Sequence, residues 1–393
     1  MSARARNRGV APPPDGLDEE QRELQRTIVE FARGELNRDL ERREHDGVFT
    51  RETWRRCAQL GLVGMPVPAE HGGLGLSAST AAAAFEALGY GCTDNGLIFS
   101  INAHTWACEL PLVHFGTEAQ KRRWLPGLCD GSLIAAHGMT EPQSGSDAFA
   151  LRTTARQTGD GWVLNGSKTF VTNAPGSDVL IVFASTDPGM GFAGLSAFVL
   201  ERDTPGLEVG PPFAKMGLRT SHMGEVFLDD CQAPADALLG ERGGGMAIFN
   251  TSMRWERSLI LAGAVGTMRR QLERCVAYAR EREQFGAPIG SFQAVAHPLA
   301  EMRVRLQTAQ LMLHRTAALL DAGTATDLDA AMTKLHLSEA LVQSSLDALQ
   351  IHGGAGYVTE TGLERDVRDA LASRIYSGTS EMQRNVIARH LGL

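Results

Sequence analysis

No apolar run in this 393-residue sequence reaches the roughly 18 residues that a membrane-spanning helix needs. The first residues, MSARARNRGVAPPPDG, include arginines but no apolar segment after them, which argues against a secretory signal peptide. The six cysteines form no Cys-x-x-Cys pair and do not cluster with histidine, so neither a disulfide framework nor a metal site is expected. These absences predict a soluble protein of the cytoplasm.

A concentrated basic surface is also missing. The formal net charge is −8 and the basic residues are scattered, apart from three arginines before residue 9, so we expect no nucleic-acid groove. With 43% hydrophobic residues, the chain can build a sizeable core. Because one core rarely grows past about 250–300 residues, we expect two or three sub-domains. The Pro, Arg and Gly content of residues 1–16 predicts a flexible leader.

The first structured region, residues 17–135, has a helical pattern. Leu24, Ile28 and Phe31 recur at helical spacing behind Asp18, which is a suitable N-cap residue. Alanine-rich and apolar segments continue the same pattern towards residue 135. The sequence therefore predicts an N-terminal α-helical domain.

The pattern changes twice further along. Residues 136–240 hold the turn pairs Asp160-Gly161 and Asn165-Gly166 and short apolar runs such as VLIVFAST, which predict a small β-barrel or sandwich. Residues 241–393 are helical again, and Met246–Glu283 can form one long helix. Helices, then strands, then helices indicate an α+β protein without βαβ alternation.

The segment HGMTEPQSGSD, from His137 to Asp147, lies at the junction between the first helices and the strands. Its hydroxyls, glycine and backbone N–H groups could cradle an anion such as a phosphate. A polar loop that caps a helix is the more common role of such a turn. The segment alone therefore does not identify a site.

Five segments in one order resemble the acyl-CoA dehydrogenases. They are MTEPQSGSD, LNGSKTFVTNA, KMGLRTSHMGEVFLDDCQAP, REREQFGAPIGSFQAV with LQIHGGAGY, and RIYSGTSEMQR, and they span nearly the whole chain from about Leu17. The resemblance implies an N-terminal helical domain, a middle β-barrel and a C-terminal four-helix bundle. It also implies FAD bound between the subunits of a homotetramer or homodimer, and an electron-transfer flavoprotein or O₂ as the electron acceptor.

The resemblance assigns the cofactor residues by position in these motifs. Met139, Thr140, Phe170 and Thr172 would face the flavin ring, and Gly145 and Ser146 would hold the pyrophosphate. The residues expected to reach the FAD of a neighbouring subunit, or to touch it near the last helix, are Arg282, Phe285, Gln293, Gln350, Gly353, Gly354, Thr379 and Glu381. Aromatic surface for the ring and donors for the phosphates suit a flavin nucleotide.

The catalytic base departs from the commonest family pattern. Many relatives carry glutamate after the tyrosine of a YEGT motif, whereas this chain has Ser377 there, and serine cannot deprotonate a carbon acid unaided. Isovaleryl-CoA and long-chain relatives instead supply a glutamate from the long helix, directly before an arginine. That position is Glu256, followed by Arg257. The resemblance therefore predicts Glu256 as the base, with a pKa raised by burial.

The same family pattern places the substrate. The backbone N–H of Ser377 would stabilise the thioester oxygen as negative charge develops, and this donor survives replacement of the side chain. Ser146, Trp255 and Arg257 would lie beside the substrate, although core packing is the default role of a helix tryptophan. No metal is implied.

Finer similarity narrows the substrate. LGYGCTDNGLIFSINAHTWACELPLVHFGT, SMRWERSLILAG and IYSGTSEMQ resemble the subgroup that oxidises prolyl groups on a carrier protein in antibiotic biosynthesis. Three hypotheses remain open: a dehydrogenase of a carrier-bound acyl unit, an isovaleryl- or long-chain-type acyl-CoA dehydrogenase of catabolism, and a flavin monooxygenase or non-catalytic flavoprotein. Glu256 argues against the third, since loss of both glutamate positions would be its simplest signature.

Overall fold

The structure, a computed structural model, describes residues 17–159 and 161–393. The predicted leader, residues 1–16, and Asp160 of the first predicted turn lie outside these residues. The helices of the described chain are α1 (Glu19–Phe31), α2 (Leu40–Asp46), α3 (Arg51–Gln59), α4 (Ala78–Gly91), α5 (Asn95–His104), α6 (Leu110–Phe115), α7 (Glu118–Cys129), α8 (Gly245–Leu259), α9 (Ala262–Glu281), α10 (Gln293–Asp321), α11 (Asp327–His352), α12 (Gly354–Tyr357), α13 (Leu363–Ala372) and α14 (Ser380–His390). The strands are β1 (Ala135–Gly138), β2 (Thr154–Thr158), β3 (Gly161–Thr172), β4 (Val179–Ser185), β5 (Leu195–Glu201), β6 (Leu207–Val209), β7 (Met223–Pro234), β8 (Leu238–Leu239), β9 (Glu283–Gln284) and β10 (Ala287–Pro288).

The N-terminal helices form as the pattern predicts. The carboxylate of Asp18 accepts a hydrogen bond of 2.8 Å from the backbone N–H of Gln21, and Ile28 faces the core. One turn of π-helix, Thr105–Glu109, joins α5 to α6 within the predicted apolar stretch. Such turns are rare and often occur near functional sites.

The N-terminal and C-terminal helices share one core through the close contact of α4 with α9. A Cβ atom added to Gly89 would lie 1.8 Å from the carbonyl oxygen of Gly263, and one added to Gly266 would lie 1.9 Å from that of Glu86. The two backbones therefore touch at glycines. This contact fixes the position of α9 and of α8, which precedes it.

The middle of the chain is the predicted strand region. Its strands follow the order β6-β7-β3-β2-β4-β5-β8, and β1 pairs in parallel with β4. Strand β4 is buried on both faces, with Ile181 and Phe183 in one apolar cluster and Leu180 and Val182 in another. One face of the sheet thus packs against the helices, and the other face packs in an apolar cluster formed mainly by the strands themselves.

The predicted turn at Asn165-Gly166 is wrong. Both residues lie inside β3, where the pairing with β7 shifts register between Leu164 and Gly166. A Cβ on Gly166 would lie 2.5 Å from Oγ1 of Thr153, so the glycine permits close approach of a neighbouring chain segment. Gly166 therefore forms part of a β-bulge rather than a hairpin turn.

The single long helix predicted for Met246–Glu283 is also wrong. The chain breaks at Ile260 and Leu261, between α8 and α9. Neither residue is a helix breaker, so the local sequence contains no stop signal. The break directs α9 along α4, where Gly263 and Gly266 make their backbone contacts.

Across the described ranges, no helix combines the length and the apolar character that crossing a bilayer requires.

Candidate active site

Glu256 lies on the last turns of α8 and is 7% exposed. The hydroxyl of Ser377 donates a short hydrogen bond to its Oε1 atom. Burial raises the pKa of Glu256, while the Ser377 hydroxyl and the positive charges of Arg257 and Lys334 lower it, and the net pKa is raised. A desolvated carboxylate with a raised pKa is suited to removing a proton near neutral pH.

The turn that carries Ser377 has a constrained backbone. Ser377 has φ +56° and Gly378 has φ +88°, a region that a serine rarely adopts. Arg257 Nε donates to the Ser377 carbonyl at 3.0 Å, and Lys334 Nζ donates to the Gly378 carbonyl at 2.8 Å. The amide of Gln383 donates to both carbonyls, at 3.2 and 2.8 Å. Side chains from three helices therefore hold this turn against the base.

The backbone N–H of Ser377 has no acceptor among the described residues. A backbone donor beside a buried carboxylate can stabilise an oxygen that becomes negative when the neighbouring carbon loses a proton. The structure thus brings two of the predicted catalytic groups together, the carboxylate of Glu256 and the Ser377 turn.

Aromatic side chains surround this centre. The rings of Tyr376 and Phe99 lie 4.5 Å apart between centroids. Trp255 stacks on Trp106 with centroids 6.3 Å apart, and Trp106 is fully buried with its Nε1 donating to Asn102 at 2.7 Å. Trp255 therefore packs α8 against the N-terminal helices.

The loop that begins at Met139 is anchored by a buried ion pair. Lys168 Nζ lies 2.6 Å from Glu141 Oε1, and Lys168 is fully buried. Burial alone would raise the pKa of Glu141, but Lys168 and the hydrogen bonds from Thr153 and Arg152 lower it to about 2. The carboxylate accepts from the backbone N–H groups of Arg152 and Thr153 at 2.6 and 3.0 Å. It therefore ties both ends of the loop to β3.

The same loop exposes a row of backbone donors. The N–H groups of Gly145, Ser146 and Asp147 have no acceptor among the described residues. A Cβ atom on Gly145 would meet nothing within 4 Å, so the surface above it is open. Met139 is buried and Thr140 is half-buried, with the Thr140 carbonyl accepting from Thr169 N at 2.9 Å. The N–H groups of residues 145–147 are suited to binding the phosphates of a nucleotide.

Phe170 is 61% exposed although it belongs to β3, and its φ of +55° is unusual for a phenylalanine. Thr172, two residues later, is half-buried. An exposed aromatic ring held in a strained strand conformation is typical of a residue that contacts a ligand. The position suits a planar ring system.

The other predicted cofactor residues lie on the C-terminal helices and their connections. Phe285, at the tip of the β9–β10 hairpin, is 96% exposed and has φ +54°. Thr379 caps α14 by accepting from Met382 N at 3.3 Å. The remaining members of this group are exposed, namely Arg282, Gln293, Gln350, Gly353, Gly354 and Glu381.

These observations fit FAD as the bound group. The unpaired N–H groups of 145–147 suit its phosphates, and the exposed Phe170 suits its ring. Most of the predicted residues on the C-terminal helices and their connections are exposed, so they are accessible to a ligand or to another subunit. Of the predicted residues, Glu256 and Met139 are buried, and Ser377 and Arg257 are half-buried beside Glu256.

Sequence reasoning missed three contributors, Lys334, Gln383 and the Glu141–Lys168 pair. Lys334 follows Ala330 and precedes Leu337 and Leu341 at helical spacing, so it lies on the buried face of α11. This spacing could have indicated a buried lysine, because a lysine on the apolar face of a helix must find a polar partner in the protein interior. Glu141 is a polar residue inside a motif, and its partner Lys168 is 27 positions away. Gln383 contacts Ser377 and Gly378 within its own motif, but a polar residue so placed has no pattern that marks it as buried.

Most of the chain matches three domain families. Residues 18–132 match the acyl-CoA dehydrogenase N-terminal domain, residues 136–231 the middle domain, and residues 243–392 the C-terminal domain. A curated relative, the L-prolyl-[peptidyl-carrier protein] dehydrogenase of Pseudomonas fluorescens, is 44% identical over 351 residues, covering 89% of this chain and 92% of the relative.

Two solved structures have the same fold throughout. The prolyl acyl carrier protein oxidase AnaB matches with a TM-score of 0.95 and 50% identity, over 96% of this chain and 100% of AnaB. PigA, solved with FAD and proline, matches with a TM-score of 0.94 and 41% identity, over 97% of this chain and 99% of PigA.

Proposed function

The chain belongs to the acyl-CoA dehydrogenase family, and from this premise we propose that it is an FAD-dependent dehydrogenase of an acyl thioester bound to a carrier protein. The reaction removes the hydrogens of the Cα–Cβ bond. The observation that carries the proposal is the buried Glu256 carboxylate, held by Ser377 beside a turn with a free backbone N–H. L-Proline is the acyl unit that we favour, because relatives similar along the whole chain are named for prolyl carrier proteins.

Glu256 acts as the general base. An α-C–H group beside a thioester is a weak acid, so its removal needs a carboxylate of raised pKa together with a donor for the thioester oxygen. Burial provides the first, and the Ser377 N–H provides the second. The Ser377 hydroxyl and Arg257 then have positioning roles, since one holds the carboxylate and the other holds the Ser377 carbonyl.

FAD, when bound, accepts the electrons that the oxidation releases. We assign its phosphates to Gly145 and Ser146, and its ring to Met139, Thr140, Phe170 and Thr172. The residues assigned to the FAD of a neighbouring subunit, or to the FAD near α14, are Arg282, Phe285, Gln293, Gln350, Gly353, Gly354, Thr379 and Glu381.

Assembly and setting complete the proposal. The strongly exposed apolar side chains Phe285, Tyr357 and Ile375 suit coverage by another subunit, and a homotetramer or homodimer would provide it. An electron-transfer flavoprotein or O₂ reoxidises the enzyme, and the reaction belongs to antibiotic or other secondary metabolism in the cytoplasm. We retain 17–135, 136–240 and 241–393 as its domains.

An acyl-CoA dehydrogenase of catabolism is the second candidate. The family match favours it, because the same base and turn serve a thioester on coenzyme A as well as on a carrier. Both carry the acyl group on a phosphopantetheine arm. The distinction therefore depends on the outer surface of the protein rather than on Glu256.

The test is anaerobic reduction of the purified yellow holoenzyme. L-Prolyl carrier protein, isovaleryl-CoA and butyryl-CoA are mixed separately with the enzyme, and the flavin absorbance is followed in a stopped-flow instrument. Carrier protein without proline, and free L-proline, are the matched controls. We expect rapid bleaching by prolyl carrier protein alone. Faster bleaching by an acyl-CoA would establish the second candidate, and bleaching by none of them would overturn dehydrogenation of these thioesters.

A further inference from the structure

A buried lysine, Lys334, lies beneath the turn formed by Ser377 and Gly378. Lys334 is on α11 and is completely inaccessible to solvent. Its Nζ donates to the Gly378 carbonyl at 2.8 Å and lies 5.8 Å from the centre of the Tyr376 ring. Within the described ranges, no carboxylate oxygen lies within the 4.0 Å of a salt bridge to this ammonium.

A lysine in this situation is costly. Removing an ammonium from water costs several kcal/mol unless a charge partner compensates, and buried lysines are almost always paired. One carbonyl and one ring face offer partial compensation only. A strongly perturbed charge next to a catalytic group is a candidate for a functional role.

We propose that Lys334 is a positioning residue for the base: its charge favours the ionised form of Glu256, and its hydrogen bond fixes the turn that carries Ser377. The proposal rests on the proposed role of Glu256 as the base. An ion pair with Glu256 would hold the carboxylate and lower its basicity. A cation that lies close without contact stabilises the carboxylate while leaving its oxygens available for a proton.

The charged groups around Lys334 come from three helices. The charges that act on it electrostatically are Glu256 and Arg257 on α8, Glu339 on α11 and Glu381 in the first turn of α14. Glu339 is engaged by Arg374 and Ser380, and Glu381 is exposed. Glu256 is therefore the buried carboxylate on which the Lys334 charge acts.

The direction of the electrostatic effect is defined. Burial raises the pKa of Glu256, and Lys334 is among the charges that lower it. Burial, and then repulsion by Arg257, lower the pKa of Lys334 to about 8. Lys334 is therefore mostly charged at pH values below about 8. Loss of that charge must move the titration of Glu256 to higher pH.

Three substitutions separate charge from hydrogen bonding. K334Q removes the charge but keeps an amide donor for the Gly378 carbonyl. K334M removes both, and K334R keeps the charge. K121M, which removes a lysine on α7 paired with Glu118, is the matched control away from the site. FAD content and thermal unfolding identify any variant that fails to fold. If K334M does not fold, K334Q alone tests the effect of removing the charge.

The first readout needs no substrate. The infrared carboxyl stretch of protonated Glu256, identified by its absence in E256Q, is titrated in each holoenzyme. The midpoint is expected at higher pH in K334Q and K334M than in the wild type, and unchanged in K334R and K121M. Equal midpoints in the wild type, K334Q and K334M would overturn the proposal. This titration can be interpreted even if no tested thioester reduces the flavin. Failure of the Lys334 proposal can therefore be distinguished from failure of the proposed function.

The second readout is the rate of flavin reduction against pH. On the acid limb, K334Q should be about tenfold slower than the wild type, the effect of losing a nearby charge on a titrating base. The difference should shrink as pH rises and Glu256 becomes ionised in both proteins. A loss of equal size at every pH would indicate a purely structural role and contradict the charge effect.

Discussion

In the proposed mechanism, Ser377 and Glu256 divide between two residues the functions that a single glutamate serves in many relatives. The serine keeps the backbone N–H and adds a hydroxyl that donates to Glu256. The carboxylate comes from α8 instead of the turn. Glu256 could be proposed as the base from the sequence because the family motif leaves only one other glutamate position. Its hydrogen bond to Ser377 could not, since the two residues are 121 positions apart.

The pH profile of flavin reduction should follow the ionisation of Glu256. The rate is expected to fall as pH decreases through the raised pKa, because the protonated carboxyl cannot accept the α-proton. S377A removes a hydrogen bond that lowers this pKa, so the acid limb should move to higher pH. Single-turnover rates between pH 5 and 9 check this, with S132A, an exposed serine, as the control. A limb that moves to lower pH in S377A would contradict the account.

Helix and strand packing determines where the local patterns fail. The cap of α1 was predictable because it depends on residues three apart. The break at Ile260 and Leu261 was not, since it follows from the contact of α9 with α4. The turn predicted at Gly166 failed for the same reason. A glycine that allows close approach of Thr153 cannot be distinguished from a turn glycine by its local sequence.

G266A tests the contact of α9 with α4. The added methyl group would lie 1.9 Å from the Glu86 carbonyl and 2.4 Å from Tyr90 N, and backbone atoms cannot move aside cheaply. We expect a loss of about 1–3 kcal/mol in the free energy of unfolding. G34A is the matched control, because a Cβ there meets nothing within 4 Å. Equal denaturation midpoints for the two variants would refute the close contact.

K168M tests the anchored loop of residues 139–147. It leaves the buried Glu141 carboxylate without its cation, and we expect a loss of about 3–5 kcal/mol in unfolding free energy together with weaker FAD retention. The double variant E141Q/K168M should recover part of this loss because no unpaired charge remains. Chemical denaturation and the flavin-to-protein absorbance ratio measure both effects. A double variant less stable than K168M would contradict the pairing.

Acid should weaken the same loop. The folded pKa of Glu141 is lowered to about 2 from an ordinary value of 4.5. The stabilisation is therefore complete above pH 4.5 and is lost as pH falls towards 2. Thermal unfolding of the wild type should decline more steeply over this interval than that of E141Q. Parallel curves would show that Glu141 is not stabilised in its ionised form.

At the scale of the whole molecule, the proposed cofactor residues divide into two surfaces. One is the strand-side loop with Phe170, and the other includes Phe285 and the connections of the C-terminal helices. Both sets were assigned from the family motifs, because local sequence carries the motif residues. The order of helices and strands could be predicted from composition and periodicity, whereas the proposed meeting of these surfaces would depend on a second copy of the chain.

F285S tests the assembly. Removing this 96% exposed ring should lower the fraction of FAD retained and shift the enzyme towards smaller species, because the ring would contact the cofactor of another subunit. Light scattering after gel filtration, with the flavin absorbance of each peak, measures both. M190S, which alters a 59% exposed side chain of the strand region, is the control. Unchanged mass and flavin content in F285S would contradict the shared cofactor site.

The central claim is that Glu256 removes the α-proton, and a single-turnover comparison of E256Q with the wild type tests it most directly. Glutamine keeps the size and polarity of the side chain but cannot accept the proton. With prolyl carrier protein and no oxygen, we expect both proteins to hold FAD equally while flavin reduction in E256Q is at least about 10²-fold slower. A rate in E256Q comparable to the wild type would show that another group is the base.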